Sequence, residues 1–469
     1  MTHTVDYALL NMEDEQAVHA THQEDKHIQQ VGSHMEKELT QDWANGLRGL
    51  AALLVTFHHL VVAFNTHATL NTSDADGTVH FWQWPIIRAF TSPNFMVTIF
   101  FVLSAGYVLS YRPLHRLEQS PLAAVSVRDS LASACLRRIF RLLPPAAMSI
   151  FLSHVILLAG GFDRARSGKV GDWWVAQCTP RWVSKSWLGQ TIEALRTVVL
   201  IWHQKMIFSR YNVVLWTMPE ELQGSLRVYL FLLATSKLQR KFRTMLAIGL
   251  ALVQLITKET STLQFIMGLL IAELQVAQSN QLNEGTTREC TWARSFLNFF
   301  ALLIALMCGS VPYLEMKKAG WSKRMYLILA KVYSSEEEEV KSLYLVIGGV
   351  LMILTISQWP TVREIFSTQP LQFLGKISFS LYVIHVPLLL SFGMWLPIQL
   401  RQLGVSETFS IVLMAPCWYG LALALSWLMT KFVDERSVYI SHQLEVVWGV
   451  QSSNPVEATS ETEGNSSAN

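Results

Sequence analysis

Charge is scarce in this chain. Asp, Glu, Lys and Arg make up 15% of its 469 residues, whereas soluble domains carry about 25%. That shortage argues against a large soluble core and for an integral membrane protein. Net charge is only +2, too small for the basic footprint of a nucleic-acid partner. Cysteine is sparse as well: Cys135, Cys178, Cys290, Cys308 and Cys417 are scattered, with no CxxC pair. Such spacing fits neither a disulfide framework nor a zinc site, and no metal is expected. A Gly-rich phosphate loop, an HExxH helix and a GxSxG elbow are also missing. No segment repeats at a fixed period.

Apolar sequence fills the space that charge leaves, at 51% of residues. Windows long enough to cross a bilayer recur near 47–64, 94–111, 142–160, 213–235, 296–314, 343–359, 373–396 and 408–432. Weaker ones lie near 190–208, 244–257 and 262–277, the last apolar but short. The pattern predicts an all-α membrane protein, a polytopic bundle of about ten or eleven transmembrane helices. Two polar ends flank it. Residues 1–42 hold nine acidic residues against two lysines and have no apolar core, so they read as a disordered tail without a cleavable signal. The four histidines from His19 to His34 lack the spacing of a metal site. Residues 433–469 are expected to form a polar C-terminal tail.

Basic residues set the orientation. Arg112, His115, Arg116, Arg128, Arg137, Arg138 and Arg141 follow the second span, opposed by Glu118 and Asp129, while 65–92 offers Arg88 alone. The N-terminus is therefore expected in the cytosol of an endomembrane such as the endoplasmic reticulum. Asn71, in the sequon Asn71-Thr72-Ser73, is then a lumenal glycosylation candidate. The run Glu336–Glu339 reads as a solvated loop without chemistry.

Four polar constellations interrupt the apolar windows. In LRGLAALLVTFHHL, Arg48 and His59 are eleven residues apart, which puts them on one helix face about 16 Å apart along the axis. His58 is rotated away by about 100°. A neutral imidazole inside the bilayer can accept a proton, as a general base must. Arg137, Arg138 and Arg141 share one flank of LRRIFRLLPP, and clustered guanidinium forks bind phosphate. In LWTMPEEL, Pro219 precedes Glu220 and Glu221, with Arg227 close enough in sequence to neutralise one of them. Ser378, Tyr382 and His385 form a polar stripe in FLGKISFSLYVIHVP. Each has a plainer account when taken alone: a buried polar contact, a headgroup anchor, a helix start, interhelical hydrogen bonds.

In this order the four segments, with FFVLSAGYVLSYRPL between the first two, resemble the acyltransferase 3 family of multi-span membrane acyltransferases, over most of residues 43–432. LWTMPEELQGS and SYRPL look most like fungal members that tailor natural products. The resemblance implies transfer of an acyl group, commonly acetyl, from acyl-CoA as co-substrate to a hydroxyl of a small-molecule acceptor such as a secondary metabolite. No permanently bound cofactor is implied. The family's arginine and histidine fall on Arg48 and His59, its RxxR pair on Arg138 and Arg141 as contacts for CoA phosphates, its glutamate on Glu221 and its late histidine on His385. Ser378, Tyr382 and Trp216 are expected to line the substrate site, and Arg137 to join the phosphate contacts. One departure is Ser104-Ala105-Gly106, where the family commonly reads Ser-Gly. Two other functions stay open at this level: relay of an acyl group across the membrane to a lumenal sugar or lipid, and proton-coupled transport through His59, Glu221 and His385.

Overall fold

The computed structural model describes residues 42–66, 70–73, 78–119, 123–168, 170–202, 211–283, 292–318 and 320–447. The acidic tail with its histidines, Cys290 and the end beyond Val447 lie outside the described residues. Within them there is no strand. The long helices are α1 (Asp42–Phe64), α2 (Pro93–Gln119), α3 (Ala123–Leu158), α4 (Trp187–Leu200), α5 (Thr217–Thr235), α6 (Arg240–Thr257), α7 (Thr260–Asn283), α8 (Trp292–Gly309), α9 (Glu337–Gln358), α10 (Gln369–Gln402) and α11 (Glu407–Val447).

Eight of these are long and apolar enough to cross a bilayer: α1 to α3 and α7 to α11. The protein is an all-α, multi-pass integral membrane protein. Among the described residues, three of the expected windows, those on α4, α5 and α6, do not meet this measure, for identifiable reasons. α4 has 14 described residues, about 21 Å of helix against a hydrocarbon thickness of about 30 Å. α5 and α6 have the length, but α5 carries Glu220, Glu221 and Arg227, and α6 carries Arg240, Lys241 and Arg243. Conversely, the short window at 262–277 is part of a 24-residue helix, because the polar run after Ala277 continues it.

The basic segment after the second span is helical too. α3 runs unbroken for 36 residues through Pro144 and Pro145. From Arg141 to Leu158 is about 27 Å of helix, close to one hydrocarbon thickness, so the arginines sit at one boundary. α11 likewise passes the boundary expected at residue 432. Its last part packs on α3, where Arg137 Nη1 lies 2.7 Å from Glu445 Oε2.

Packing places α10 at the centre: 78% of its most apolar stretch is buried by protein, against 22% for α8 and for α11, whose remaining sides are free to face lipid. Two apolar clusters form the interior. One gathers α1, α2, α7 and α9 around Phe95, Phe101 and Phe265, and the other gathers α3, α10 and α11 around Leu381 and Trp418. α1 contributes Leu47 and Val55 to the first and Leu60 to the second, so α1 and α10 form the seam between them.

That seam depends on glycine. A Cβ on Gly49 would lie 2.6 Å from the Leu374 carbonyl carbon, and one on Gly375 would overlap the Asn45 carbonyl. Small residues of this kind let membrane helices approach closely. Gly375→Val is expected to push α10 off α1, lowering the yield of folded protein and abolishing activity. Gel-filtration recovery in detergent checks it, and a well-folded, active variant would contradict this packing. In α2, residues Phe101–Tyr107 form a π-helical segment at the Ser104-Ala105-Gly106 departure. An extra residue in a helix widens one turn in this way.

Candidate active site

α1 and α10 run parallel. Gly49 meets Gly375 at one level, and ten residues further along each helix His59 meets His385. The ring nitrogens His59 Nδ1 and His385 Nε2 are 3.0 Å apart. His385 Nδ1 lies 3.1 Å from the Leu381 carbonyl oxygen. A carbonyl only accepts, so Nδ1 carries the hydrogen and, in the neutral ring, His385 Nε2 is an acceptor. His59 Nδ1–H must then donate to it. This leaves the lone pair on His59 Nε2, the arrangement a general base needs. His58 turns elsewhere: its Nδ1 donates to the Thr91 carbonyl at 2.8 Å. The helical spacing that separated the two histidines thus corresponds to two different environments.

Along the same face of α1, between Arg48 and His59, lies an apolar cavity of about 30 Å³. Ala51, Ala52 and Val55 form its α1 wall, Met218 and Phe101 close it, and Thr217, Glu221, Ser378 and Tyr382 are its polar groups. The expected stripe on α10 therefore does face inward, with Ser378 and Tyr382 on the cavity and His385 beyond them. The Tyr382 hydroxyl donates to the Val214 carbonyl at 3.0 Å and lies 3.1 Å from Thr217 Oγ1. The same Val214 carbonyl also accepts from the Thr217 N–H, closing the turn Val213–Trp216 at the start of α5. Pro219, two residues into α5, lacks the N–H that the Leu215 carbonyl would otherwise receive.

The arginine end is more differentiated than the sequence suggests. Arg138 and Glu221 form a buried ion pair at 2.7 Å, and Arg138 Nε donates to Ser225 Oγ at 3.1 Å. Arg227, the partner favoured by sequence proximity, instead donates to Thr262 Oγ1 at 2.7 Å. Arg137 is held by Glu445 and Ser133. Arg141 is exposed and has no hydrogen-bond or ion-pair partner among the described residues. Arg48 donates from Nη2 to the Gly375 carbonyl at 3.0 Å, while its Nε is buried and unpartnered. Arg48 feels the charges of Arg141, Glu221, Asp434 and Arg138. These side chains form one cluster at the foot of the cavity.

A family model described as "Acyltransferase domain" matches residues 41–431. The chain belongs to the acyltransferase 3 family. It is similar to O-acetyltransferase PaAT-1 of Phomopsis amygdali, 26% identical over 430 residues covering 85% of this chain and 83% of that one. It is also similar to acyltransferase clz18 of Cochliobolus lunatus, 24% identical over 428 residues covering 80% of this chain and 90% of the other. Acyltransferase R4 of Phoma sp. (strain ATCC 20986 / MF5453) is 24% identical over 394 residues covering 75% of this chain and 83% of that one. No solved structure matches the chain. The protein is a membrane-embedded acyltransferase, and this membership sets aside a plain transporter.

One residue expected to line the substrate site of this acyltransferase falls outside the cavity. Trp216 is exposed at 37% and is not part of the cavity wall, because the turn that carries it points its neighbours Thr217 and Met218 inward. Asn71 lies in a bend between α1 and α2, half-buried, with its carbonyl accepting from Arg88 Nη1 at 2.6 Å. Other residues escaped the sequence reading. Asn212 Nδ2 donates to the Val383 carbonyl at 2.6 Å, the carbonyl that Pro387, four residues on, cannot satisfy. Asn212 thereby steadies α10 beside His385. Asp434 has a buried, unpartnered Oδ1 near Arg48 and Arg141. An acidic residue closing an apolar window was the available signal for it. Four cysteines, Cys135, Cys178, Cys308 and Cys417, are free thiols.

Proposed function

We propose that this acyltransferase moves an acyl group, acetyl in the first instance, from acyl-CoA to a hydroxyl of a small secondary metabolite. The observation that carries the reading is the 3.0 Å His59–His385 hydrogen bond, at the opposite end of an apolar strip from the arginine cluster. His59 Nε2 takes the acceptor's hydroxyl proton as its oxygen attacks the thioester carbonyl. The O–C bond forms, the C–S bond breaks, and His59 returns the proton to the departing thiolate. While protonated, His59 keeps its Nδ1–H on His385 Nε2, which shares the positive charge. The Leu381 carbonyl, which terminates the pair, holds the tautomer without adding a full negative charge.

Two features suit an acyl-CoA donor. Ala51, Ala52 and Val55 give a slim acyl-pantetheine arm a wall of small side chains. Arg141, exposed, and Arg48, with its unpaired Nε, offer guanidinium groups to phosphate. Arg138 is committed to Glu221, so its proposed part is to hold the foot of the cavity in shape. The bias of basic residues on α2 and α3 supports a cytosolic arginine end, where acyl-CoA is at hand. The name of the relative PaAT-1, an O-acetyltransferase, supports acetyl as the group moved.

The test is thiol release from acetyl-CoA by purified protein in nanodiscs, with a panel of hydroxylated small molecules. Acceptor-dependent release is expected, and no turnover of any short-chain acyl-CoA would overturn the donor. Arg141→Ala is expected to raise KM for acetyl-CoA about tenfold, the loss of one charge-assisted contact, with a smaller effect on kcat. An unchanged KM would remove Arg141 from the donor site.

A further inference from the structure

Three rings surround His59: His385 at 5.0 Å, His58 at 5.3 Å and Trp174 at 5.4 Å between centroids. The two histidines have roles already. Trp174 has none, yet its placement takes several specific interactions. α1 ends at Phe64, and a helix end leaves carbonyls without donors. The Asp172 N–H supplies one, to the Ala63 carbonyl at 2.7 Å. Asp172 Oδ2 accepts from the Thr66 N–H at 2.7 Å, and Oδ1 from the Trp173 N–H at 2.6 Å, capping the short helix Trp173–Cys178. Gly171 makes the turn at φ +88°, and a Cβ there would sit 3.1 Å from the Ala63 oxygen. One aspartate thus fastens the segment carrying Trp174 to α1 a single turn beyond His59. Trp174 itself is half-buried, with its ring tilted 34° to the imidazole.

Acyl transfer to an alcohol competes with water for the same thioester and the same base. Closing a site against water is a recognised defence, and an aromatic ring does so without a polar group of its own on that face. We infer that Trp174, moored by Asp172, is a positioning residue that walls His59 off from water and forms the surface against which the apolar body of a hydroxylated acceptor lies. The inference rests on the reading of His59 as base. With the wall removed, water takes the acceptor's place. Its oxygen bonds to the acyl carbon, the C–S bond breaks, and its proton passes through His59 to the thiolate, giving carboxylic acid and free thiol.

Access is measured directly with diethyl pyrocarbonate, which modifies neutral imidazole, on the full chain in nanodiscs with site-resolved mass spectrometry. His59 labelling is expected to be several-fold faster in Trp174→Ala and Asp172→Ala, and only slightly faster in Trp174→Phe. Buried His154 should stay slow, reporting an intact fold, and exposed His442 should stay fast. If an alanine variant also exposes His154, Trp174→Leu is read in its place. Unchanged His59 labelling overturns the wall. In a second arm, thiol release from acetyl-CoA without acceptor should rise several-fold in Trp174→Ala at unchanged KM, and return to background when His59→Ala is added. Faster labelling without added hydrolysis would keep the wall and remove His59 as base. Unchanged labelling removes the wall whatever the hydrolysis does.

Discussion

His59→Ala is expected to lower kcat for acyl transfer about 10²- to 10⁴-fold, the usual worth of a positioned general base, with little change in KM for acetyl-CoA. The alanine leaves the donor end untouched, since Arg48 and Arg141 lie at the other end of the apolar strip. His385→Ala should cost less. It removes the acceptor that fixes the His59 tautomer, but leaves a ring nitrogen able to take the proton. His58→Ala should leave kcat near that of the unaltered enzyme, because His58 Nδ1 serves the Thr91 carbonyl and not the pair. The measurement is thiol release at saturating acetyl-CoA for the three variants. A His59→Ala enzyme that keeps its rate while His58→Ala loses it would transfer the role of base to His58.

Helical periodicity alone made part of this site legible. Eleven residues return to the same face, so Arg48 and His59 could be paired from their spacing. The same rule explains why Arg227, expected to neutralise one of the two adjacent carboxylates, is not the partner of Glu221. Arg227 is six residues on, about 240° around the helix, and cannot turn back to Glu221. The partner is Arg138, 83 residues away in sequence, brought in by the packing of α3 on α5. His385 was legible as a polar residue in an apolar span. Its bond to His59 was not, because the two are 326 residues apart and only the glycine crossing sets their level. Trp174 and Asp172 left no periodic signal at all, since a cap on a helix end is made by loop backbone. The expected spans and the eight long apolar helices of the described residues differ only at α4, α5 and α6, where charge and length disagree.

Glu221→Ala should be the most destabilising of the site substitutions, by about 3–5 kcal/mol. The side chains of Arg138 and Glu221 are 8% and 5% exposed, so the alanine strands a guanidinium without a counterion in the interior. Glu221→Gln, which keeps an acceptor for Arg138 Nη2, should lose less. Replacing both partners with apolar residues, Arg138→Met with Glu221→Leu, removes the stranded charge and should recover most of the stability. Thermal unfolding in one detergent ranks the variants, and a double variant as unstable as Glu221→Ala would refute the pair as the source of the loss. Activity then separates scaffold from chemistry. Glu221 is the carboxylate on the wall of the cavity, and its pair with Arg138 sets how Arg48 and Arg141 are balanced below it. The stable double variant is therefore expected to remain inactive with acetyl-CoA, because leucine restores the packing and not the charge pattern. Recovery of turnover along with stability would reduce Glu221 to a counterion, leaving the two histidines as the chemical core of the site.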